Sequence, residues 1–316
     1  MNMILITKSN ELDITTELIV SWLSCKNAKY TLINLDDSNI YKSLNNYKSV
    51  LKIEPESQLN YSCVWFWRAF PKSQIQRNDK LKRYLQNESL TIIKYLLGQN
   101  QNKCTWFPKK IDFGINKLEV LNKASKIGLL IPKTIITNNK NDLIEFFNEN
   151  KTIITKPIYE VDSWEFEENN YTLFTEEIKK DNLLNIPNTF FPSLFQEKII
   201  KEFEIRTFYL DGTFFSMAIF SQDNEKTEVD FRKYDTENEN RVTVFKLPED
   251  IQMKLTDLMK EIGMQSGSID LIYNGENKYY FLEVNPVGQI DMVSKPCNYY
   301  IEKKIAEKLR KYEEIK

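Results

Sequence analysis

The feature that most restricts the fold is a pair of alternating apolar runs near the C-terminus, GSIDLIY and KYYFLEVN, separated by the letters NGEN. Such runs joined by a short Asn-Gly segment predict an antiparallel β-hairpin. With a loop at about 275–278, Asp270 lies opposite Glu283. Side chains two positions apart share one strand face, so Glu283 and Asn285 point the same way. We therefore expect three oxygen-bearing side chains on one face near the strand ends.

The spacing of these oxygen-bearing side chains has two interpretations, a solvent-facing strand or a metal site. A solvent-facing strand shows the same alternation, so spacing alone does not require a ligand. Two carboxylates and an amide are also the ligands that suit Mg²⁺ or Mn²⁺, which keep several waters and take further ligands from phosphate. Pro286 and Gly288 follow at once and predict that the chain turns out of the strand there.

Composition excludes several classes of chemistry. The 316 residues are enough for two or three structural units, and none of them is histidine. A Ser-His-Asp triad, a Cys-His dyad and His-ligated metal are therefore excluded. Any acid–base chemistry must use Asp, Glu, Lys, Tyr or the substrate itself. The 4 cysteines are far apart and form no CxxC, which favours free thiols in a reducing cytoplasm over disulfides or zinc.

Charge and hydropathy argue against broad nucleic-acid binding, membrane insertion and secretion. Lys plus Arg is 43 and Asp plus Glu is 45, so the near-neutral chain gives no indication of broad nucleic-acid binding. No apolar run approaches about 18 residues, so no transmembrane helix is predicted. The N-terminus lacks the long apolar region of a signal peptide. We expect a cytoplasmic protein.

Alternating strand and helix patterns predict an α/β protein in which some parts are α+β. Strands are expected at 3–7, 31–35, 63–70, 152–156, 194–200, 204–210 and 213–220, besides the C-terminal hairpin. Helices are expected at 11–24, 73–99 and 248–263, after Lys117, and from about Tyr299. Residues 159–192 show no readable pattern. We expect three units, at 1–115, 116–190 and 191–316.

Cationic side chains recur where a phosphate ligand would need them. Lys117 opens a predicted helix, Lys156 ends the apolar strand TIITK, and Arg206 alternates with apolar neighbours in FEIRTF. The segment DFRKYD adds Arg232. Each lysine taken alone is equally typical of a solvated surface.

These segments, taken in their order, resemble the ATP-grasp superfamily. The resemblance is greatest to the branch that contains ribosomal-protein S6 glutamate ligase and the graspetide (microviridin-type) peptide cyclases, including those paired with radical-SAM SPASM proteins. It is strongest from Lys117 to Gln289 and rests on NKLEVLNKASKIGLLIPKT, TKPI, FQEKIIKEFEIR, DFR and GSIDLIY…YYFLEVNPVGQ. It implies an ATP-grasp fold with an N-terminal α/β pre-ATP-grasp domain.

The resemblance also implies site residues. The metal ligands for Mg²⁺, or Mn²⁺, would be Asp270, Glu283 and Asn285. Arg206 would face the reacting phosphate, with Asp230 and Arg232 of the DFR segment near phosphate or acceptor. Glu197 and the linker backbone would read adenine, and Glu204 would hold the ribose. The residues expected to bind ATP are Lys117, Lys156, Glu197, Lys198, Ile199, Ile200, Glu204 and Arg241.

One segment departs from the family pattern. Many relatives follow the second lysine with a glycine-rich loop over the phosphates, whereas Lys156 is followed by PIYEVDSWEFEE. Backbone amides of any residue can cover a phosphate, but residues with side chains approach it less closely than glycine. How the phosphates are covered is therefore left open by the sequence.

The activity implied is peptide maturation. Asp or Glu side chains of a ribosomal precursor peptide, with its leader and core, would become acylphosphates and join Thr, Ser or Lys as macrolactones or macrolactams. The resemblance also implies a radical-SAM SPASM partner and a homodimer. Three alternatives stay open: a ligase that adds glutamate or another amino acid, a small-metabolite carbon–nitrogen ligase, and a non-catalytic peptide-binding protein with a decayed ATP site.

Overall fold

The computed structural model of the chain describes residues 3–8, 13–35, 44–45, 52–53, 61–67, 79–98, 104–108, 115–158, 163–166, 169–222 and 239–314. The N-terminal elements are β1 (Met3–Lys8), α1 (Ile14–Cys25), β2 (Tyr30–Asn34), β3 (Leu44–Asn45), β4 (Lys52–Ile53), β5 (Tyr61–Phe66), α2 (Asp79–Gly98) and β6 (Thr105–Phe107). The middle elements are α3 (Lys117–Lys126), β7 (Thr134–Asn139), α4 (Lys140–Asn150), β8 (Ile153–Lys156), β9 (Ser163–Phe166), β10 (Asn169–Thr172), β11 (Glu176–Ile178), α5 (Lys180–Asn185) and β12 (Thr189–Glu197). The C-terminal elements are β13 (Phe203–Leu210), β14 (Thr213–Phe220), β15 (Arg241–Phe245), α6 (Glu249–Glu261), β16 (Ser266–Tyr273), β17 (Tyr279–Asn285), α7 (Asp291–Ser294) and α8 (Ile301–Glu314).

The N-terminal sheet is parallel, with strand order β2-β1-β5-β6. Both of its faces are buried, as is usual for parallel sheets. Ile4, Ile6 and Trp65 pack in one hydrophobic cluster with residues of α1 and α8, while Leu5 and Phe66 pack in another. The α/β class predicted from the sequence is therefore confirmed. Helix α8 packs against strands β1 and β5 of this sheet.

The central sheet has the order β11-β8-β12-β7 and is antiparallel throughout. Leu143 of α4 and Leu183 of α5 pack against Ile153 and Phe195 of the strands, which buries one face. The sequence did not predict β7, α4, β9, β10, β11 or α5. The predicted strand 194–200 was wrong at both ends: β12 begins at Thr189 and ends at Glu197, because the chain then leaves the sheet as a linker.

The C-terminal sheet is antiparallel, with the order β15-β14-β13-β16-β17. Strand alternation sorts its side chains: Ile205 and Ile269 join the cluster formed with α3 and α6, and Arg206 and Asp270 point to the opposite face. The hairpin β16–β17 confirms the predicted pairing of Asp270 with Glu283.

Two other predicted elements differ from the structure in the residues at which they begin or end. The strand predicted at 63–70 is β5, which ends at Phe66, and 68–70 lie outside the described residues. The helix predicted from residue 73 is described from Asp79. None of the described helices is both long enough and apolar enough to cross a membrane. The division at 115 and 190 stays a prediction.

Candidate active site

A cleft of about 420 Å³ is lined by residues of both the central and the C-terminal sheets. This volume is within the range of small-molecule sites, roughly 300–1,000 Å³. Its charged lining comes from β8, β13, β16 and β17 and from the linker after β12. The residues that line the cleft include Pro132, Ile154, Lys156, Gln196, Glu197, Lys198, Ile199, Ile200, Lys201, Glu204, Asp270, Leu282 and Glu283.

Two carboxylates, each paired with a cation, lie together at one end of the cleft. Asp270 and Glu283 face each other across β16 and β17. Arg206 Nη1 lies 3.4 Å from Asp270 Oδ1, and both residues are buried. Lys117 Nζ lies 3.2 Å from Glu283 Oε2. Lys117 is the first residue of α3, whose N-terminus is capped by the Asn116 side chain, so the helix start fixes this lysine beside the carboxylate.

Asn285 is the third predicted oxygen ligand. It is exposed and lies at the end of β17, where its Oδ1 accepts a hydrogen bond from Val287 N–H at 3.1 Å. Among the described residues, no three Cys, Asp or Glu side chains are grouped so that they could hold a metal. A divalent cation at Asp270 and Glu283 would therefore need the Asn285 amide, water or phosphate as well. Such all-oxygen sets suit Mg²⁺, so the residues present fit this ion.

The turn after β17 packs tightly over this cluster. A Cβ atom placed on Gly288 would lie 2.5 Å from Ser268 Cβ and 3.2 Å from Arg206 Nη2. Ser268 is buried and precedes Asp270 by two positions on β16, so the two share a face. Only glycine lets the backbone approach Ser268 and Arg206 this closely. A side chain at position 288 would therefore collide with Ser268 and crowd the Arg206 guanidinium.

The linker after β12 is held by side chains and backbone together. Glu197 Oε1 accepts a hydrogen bond from Lys133 N–H at 2.8 Å, and Lys198 N–H donates to Thr152 O at 3.0 Å. Lys198 Nζ pairs with Glu177 Oε2 at 2.6 Å. Glu197, predicted to read adenine, therefore also anchors the linker. Ile199 and Ile200 line the cleft beyond it.

Glu204, the predicted ribose ligand, is a buried carboxylate. It forms an ion pair with Lys201 and accepts a hydrogen bond from Ser221 Oγ at 3.1 Å. Burial raises the pKa of Glu204, while Lys201 and Ser221 lower it, and burial is the larger effect. Lys201 was missed by the sequence reasoning. Its spacing of three residues from Glu204 was the available signal.

The remaining predicted residues are distributed differently. Lys156 lines the cleft at the end of β8. Arg241 begins β15 at the sheet edge, where its guanidinium carbon lies 5.1 Å from the Phe220 ring centroid. It is not among the residues that line the cleft, and its role stays a prediction. Asp230 and Arg232 lie outside the described residues.

Gln196 is a second cleft residue that sequence reasoning missed. It is 0% exposed, although it lines the cleft, and it directly precedes the linker. Its Nε2 donates a hydrogen bond to Thr134 Oγ1 at 2.9 Å. A glutamine inside an apolar strand gives no sequence signal of function, because its partner lies 62 positions away in the chain.

Comparison of the sequence with known proteins gives little. No protein-family model matches it. An uncharacterized protein of Methanocaldococcus jannaschii is 46% identical over 52 residues, which is 16% of this chain and 14% of that protein. The match therefore spans only a small part of that relative.

Comparison of the structure with solved structures gives matches over nearly the whole chain. An ATP-grasp ligase associated with a RiPP of Chryseobacterium gregarium, solved with ADP and a leader and core peptide, matches with a TM-score of 0.82 at 23% identity, over 98% of this chain and 96% of that one. The macrocyclase MdnC of Microcystis aeruginosa, bound to precursor peptide MdnA, matches with a TM-score of 0.78 at 22% identity, over 97% and 99%. The chain has the fold of the ATP-grasp ligases.

A third structure supports the same assignment. The ATP-grasp ligase PsnB, complexed with Mg, ADP and a phosphomimetic variant of its minimal precursor, matches with a TM-score of 0.77 at 14% identity, over 98% of both chains. The ATP-grasp fold expected from the sequence is thus confirmed over nearly the whole chain. In this fold the described cleft lies between the central and C-terminal sheets, and its charged end is built on β13, β16 and β17.

Proposed function

We propose that the chain is an ADP-forming ligase that uses ATP to join side chains within a ribosomally made precursor peptide. One observation carries the proposal: a chain with the fold of peptide ligases over nearly its full length keeps two carboxylates, each paired with a cation, at the end of its cleft. A decayed binding protein would have no need to keep two buried charges paired inside the sheet, because burying ions is costly.

The proposed reaction has two balanced steps. An Asp or Glu carboxylate oxygen of the peptide attacks the γ-phosphorus of ATP, the bond to ADP breaks, and an acylphosphate forms. A Thr or Ser hydroxyl, or a Lys amine, then attacks the acyl carbon, loses its proton and displaces phosphate. Each ring removes one water from the peptide and consumes one ATP.

The charged end of the cleft provides the groups for phosphoryl transfer. Asp270, Glu283 and Asn285 would hold Mg²⁺, which neutralises phosphate oxygens when bound. Lys117 and Lys156 would add positive charge around the phosphates. Arg206 is preoriented by Asp270 and packed beneath Gly288, so it would stabilise transferring charge without reorganising.

The other end of the cleft suits the nucleoside. The linker backbone at Lys198, Ile199 and Ile200 would contact adenine, and Glu197 would hold that linker in place. Glu204 would accept hydrogen bonds from the ribose hydroxyls. Arg241, together with Asp230 and Arg232 of the DFR segment, would lie near the phosphate or the acceptor group.

The test uses the short peptides encoded beside the gene, each incubated with the full chain, ATP and Mg²⁺, with mass spectrometry and ADP release as readouts. We expect loss of one water per ring. The Glu283→Gln variant should lose turnover, whereas Glu276→Gln should not, because Glu276 is an exposed carboxylate in the loop of the same hairpin, where it forms an ion pair with Lys278. Addition of whole amino acids would show an amino-acid-adding ligase instead. ADP binding with every peptide unchanged would favour the non-catalytic alternative.

The proposal extends to organisation and partners. We infer three units at 1–115, 116–190 and 191–316, a homodimer, a radical-SAM SPASM partner and a cytoplasmic location. Limited proteolysis would test the units, sedimentation would test the dimer, and affinity capture with the neighbouring maturation proteins would test the SPASM partner. Fractionation of cells that produce the chain would test the location.

A further inference from the structure

A second groove, of about 710 Å³, lies between α1, α8 and the turn that joins β13 to β14. Within the described part of the chain, no residue that lines this groove also lines the cleft of the candidate active site. The charged residues of its lining are Lys26, Lys304, Glu307, Lys308, Arg310 and Lys311. We call it the basic groove. The ATP-dependent function gives it no role.

Positive charge dominates the basic groove. Its described lining contains five cations and one carboxylate, Glu307. Lys26 Nζ lies 3.2 Å from Glu307 Oε1 and Lys304 Nζ lies 4.0 Å from Glu307 Oε2, so two lysines share this carboxylate. Lys308 forms an ion pair with Asp211 of the β13–β14 turn. The excess of cations is local, because the whole chain has a net charge of -2.

The spacing of the cations on α8 is unfavourable for the helix by itself. Lys304, Lys308 and Lys311 follow one another at four and three positions, which places like charges on one side of the helix. The helix dipole favours cations within the last turn only, and α8 ends at Glu314. The dipole therefore accounts for Lys311 but not for Lys304. An anionic partner would relieve the remaining repulsion.

The apolar lining of the groove indicates which kind of anion it fits. Leu210 and Phe215, at the two sides of the β13–β14 turn, contribute to the lining although each is largely buried. Four of the five cations are lysines, whose aliphatic stems lie along apolar surface while the ammonium stays in water. A nucleic acid would meet Glu307 and a single arginine, whereas arginine forks are the groups that match phosphate best. A polypeptide with both acidic and apolar side chains fits this lining better.

The length of the cationic stripe sets the size of that polypeptide segment. Lys304 and Lys311 are seven positions apart on α8, which is about 10 Å along the helix. An extended peptide advances about 3.3 Å per residue, so about three to four residues match this length. Alternate side chains of an extended peptide point to opposite sides. Acidic residues would therefore face α8, and the apolar residues between them would face Leu210 and Phe215.

We infer that the basic groove docks an acidic segment of a partner protein, in which Asp or Glu alternates with apolar residues. Docking there would hold the partner to this chain and leave the cleft open. The inference goes beyond the proposed ATP-dependent function and does not rest on it, because the groove and the cleft share no described lining residue.

The test measures the affinity of the full chain for a short fluorescein-labelled peptide that alternates glutamate and leucine. Fluorescence anisotropy is recorded at low ionic strength, where exposed charges are screened least, and again as salt is added. We expect saturable binding that weakens with salt. The double variant Lys304→Gln with Lys311→Gln should bind about fivefold more weakly or worse, because two exposed charge contacts are lost.

A matched double variant controls for the loss of two charges. Lys126→Gln with Lys260→Gln removes two exposed lysines of α3 and α6, outside the groove, and should bind the peptide like the wild type. A second peptide, with glutamine in place of each glutamate, should not bind detectably. Circular dichroism confirms that each variant is folded, and the single variants Lys304→Gln and Lys311→Gln decide if their double variant is not.

Three results would overturn the inference: no binding of the glutamate–leucine peptide, equal affinity for the glutamine peptide, or an equal loss of affinity in both double variants. A single-stranded RNA of the same charge provides the remaining comparison. If it binds more tightly than the peptide, and the Lys304 and Lys311 substitutions abolish this binding, the groove is a nucleic-acid site and the polypeptide assignment is wrong.

Discussion

The close approach of Gly288 to Ser268 leads to a quantitative prediction. An alanine Cβ at position 288 would lie 2.5 Å from Ser268 Cβ and closer still to its Oγ. Ordinary carbon contacts begin at about 3.4–3.5 Å, so the turn or β16 must move by about 1 Å. Overpacking of this size costs about 1–3 kcal/mol of stability. Because Arg206 Nη2 lies 3.2 Å from the same Cβ position, the displacement also reaches the charged end of the cleft.

The expected functional effect exceeds the effect on stability. A misplacement of about 1 Å at reacting groups can cost roughly 10²-fold in rate. We expect Gly288→Ala to bind ADP nearly as tightly as the wild type, since the atoms nearest to the new Cβ belong to Ser268 and Arg206 and not to the linker, but to lose about a hundredfold in kcat. The assays are ADP release with a peptide substrate, ADP titration and urea unfolding.

Compensating variants separate sterics from other causes. Ser268→Gly removes both Ser268 atoms that the new Cβ would meet and leaves only the 3.2 Å approach to Arg206 Nη2, so the double variant Gly288→Ala with Ser268→Gly should recover most of the activity. Ser268→Ala removes only the hydroxyl and leaves the 2.5 Å contact, so its rescue should be partial. Wild-type kcat in Gly288→Ala would refute the packing argument, and failure of the glycine double variant to recover would refute its steric origin.

Three further predictions concern Glu204, Ile305 and Lys117. Burial raises the pKa of Glu204 above 4.5, so between the two pKa values the folded state holds a proton that the unfolded state has lost. The free energy of unfolding should therefore fall as the pH rises from about 4.5 through the folded pKa. Urea unfolding measured across this pH range should show a weaker fall in Glu204→Gln. Ile305→Ala, in the face of α8 packed on the N-terminal sheet, should cost about 2–5 kcal/mol in the same assay, and a change near zero would contradict that packing. Lys117→Met should weaken Mg·ADP binding about tenfold or more by calorimetry, because it removes the cation beside Glu283 and the expected phosphates; unchanged affinity would count against its phosphate role.

The hairpin that carries the two carboxylates was predictable from the sequence, but the β-bulge that sets its register was not. The sequence predicted a loop at 275–278 and Asp270 opposite Glu283. In the structure Tyr273 pairs with Tyr279, so the loop is longer, and a bulge between Asp270 and Leu271 moves the register by one residue. The bulge restores the predicted pair, and without it Asp270 would face Leu282. Bulges depend on local backbone conformation that residue alternation does not encode.

The central sheet was the least predictable part. Strand β11 of this sheet and the strands of the separate pair β9 and β10 are three or four residues long, too short for a periodic pattern to stand out. Strands β9 and β10 form an antiparallel pair within the glycine-free segment that follows Lys156. Lys201 and Gln196 were missed for a related reason, because their significance comes from partners placed by the fold.

The central claim is that this chain closes rings in a peptide at the expense of ATP. The most direct measurement is mass spectrometry of a neighbouring precursor peptide after incubation with the chain, ATP and Mg²⁺, with ADP quantified in the same sample. The account predicts loss of one water and formation of one ADP per ring, both absent in Glu283→Gln and retained in Glu276→Gln. Water loss that persists in Glu283→Gln, or ADP formation accompanied by a gain in peptide mass, would contradict it.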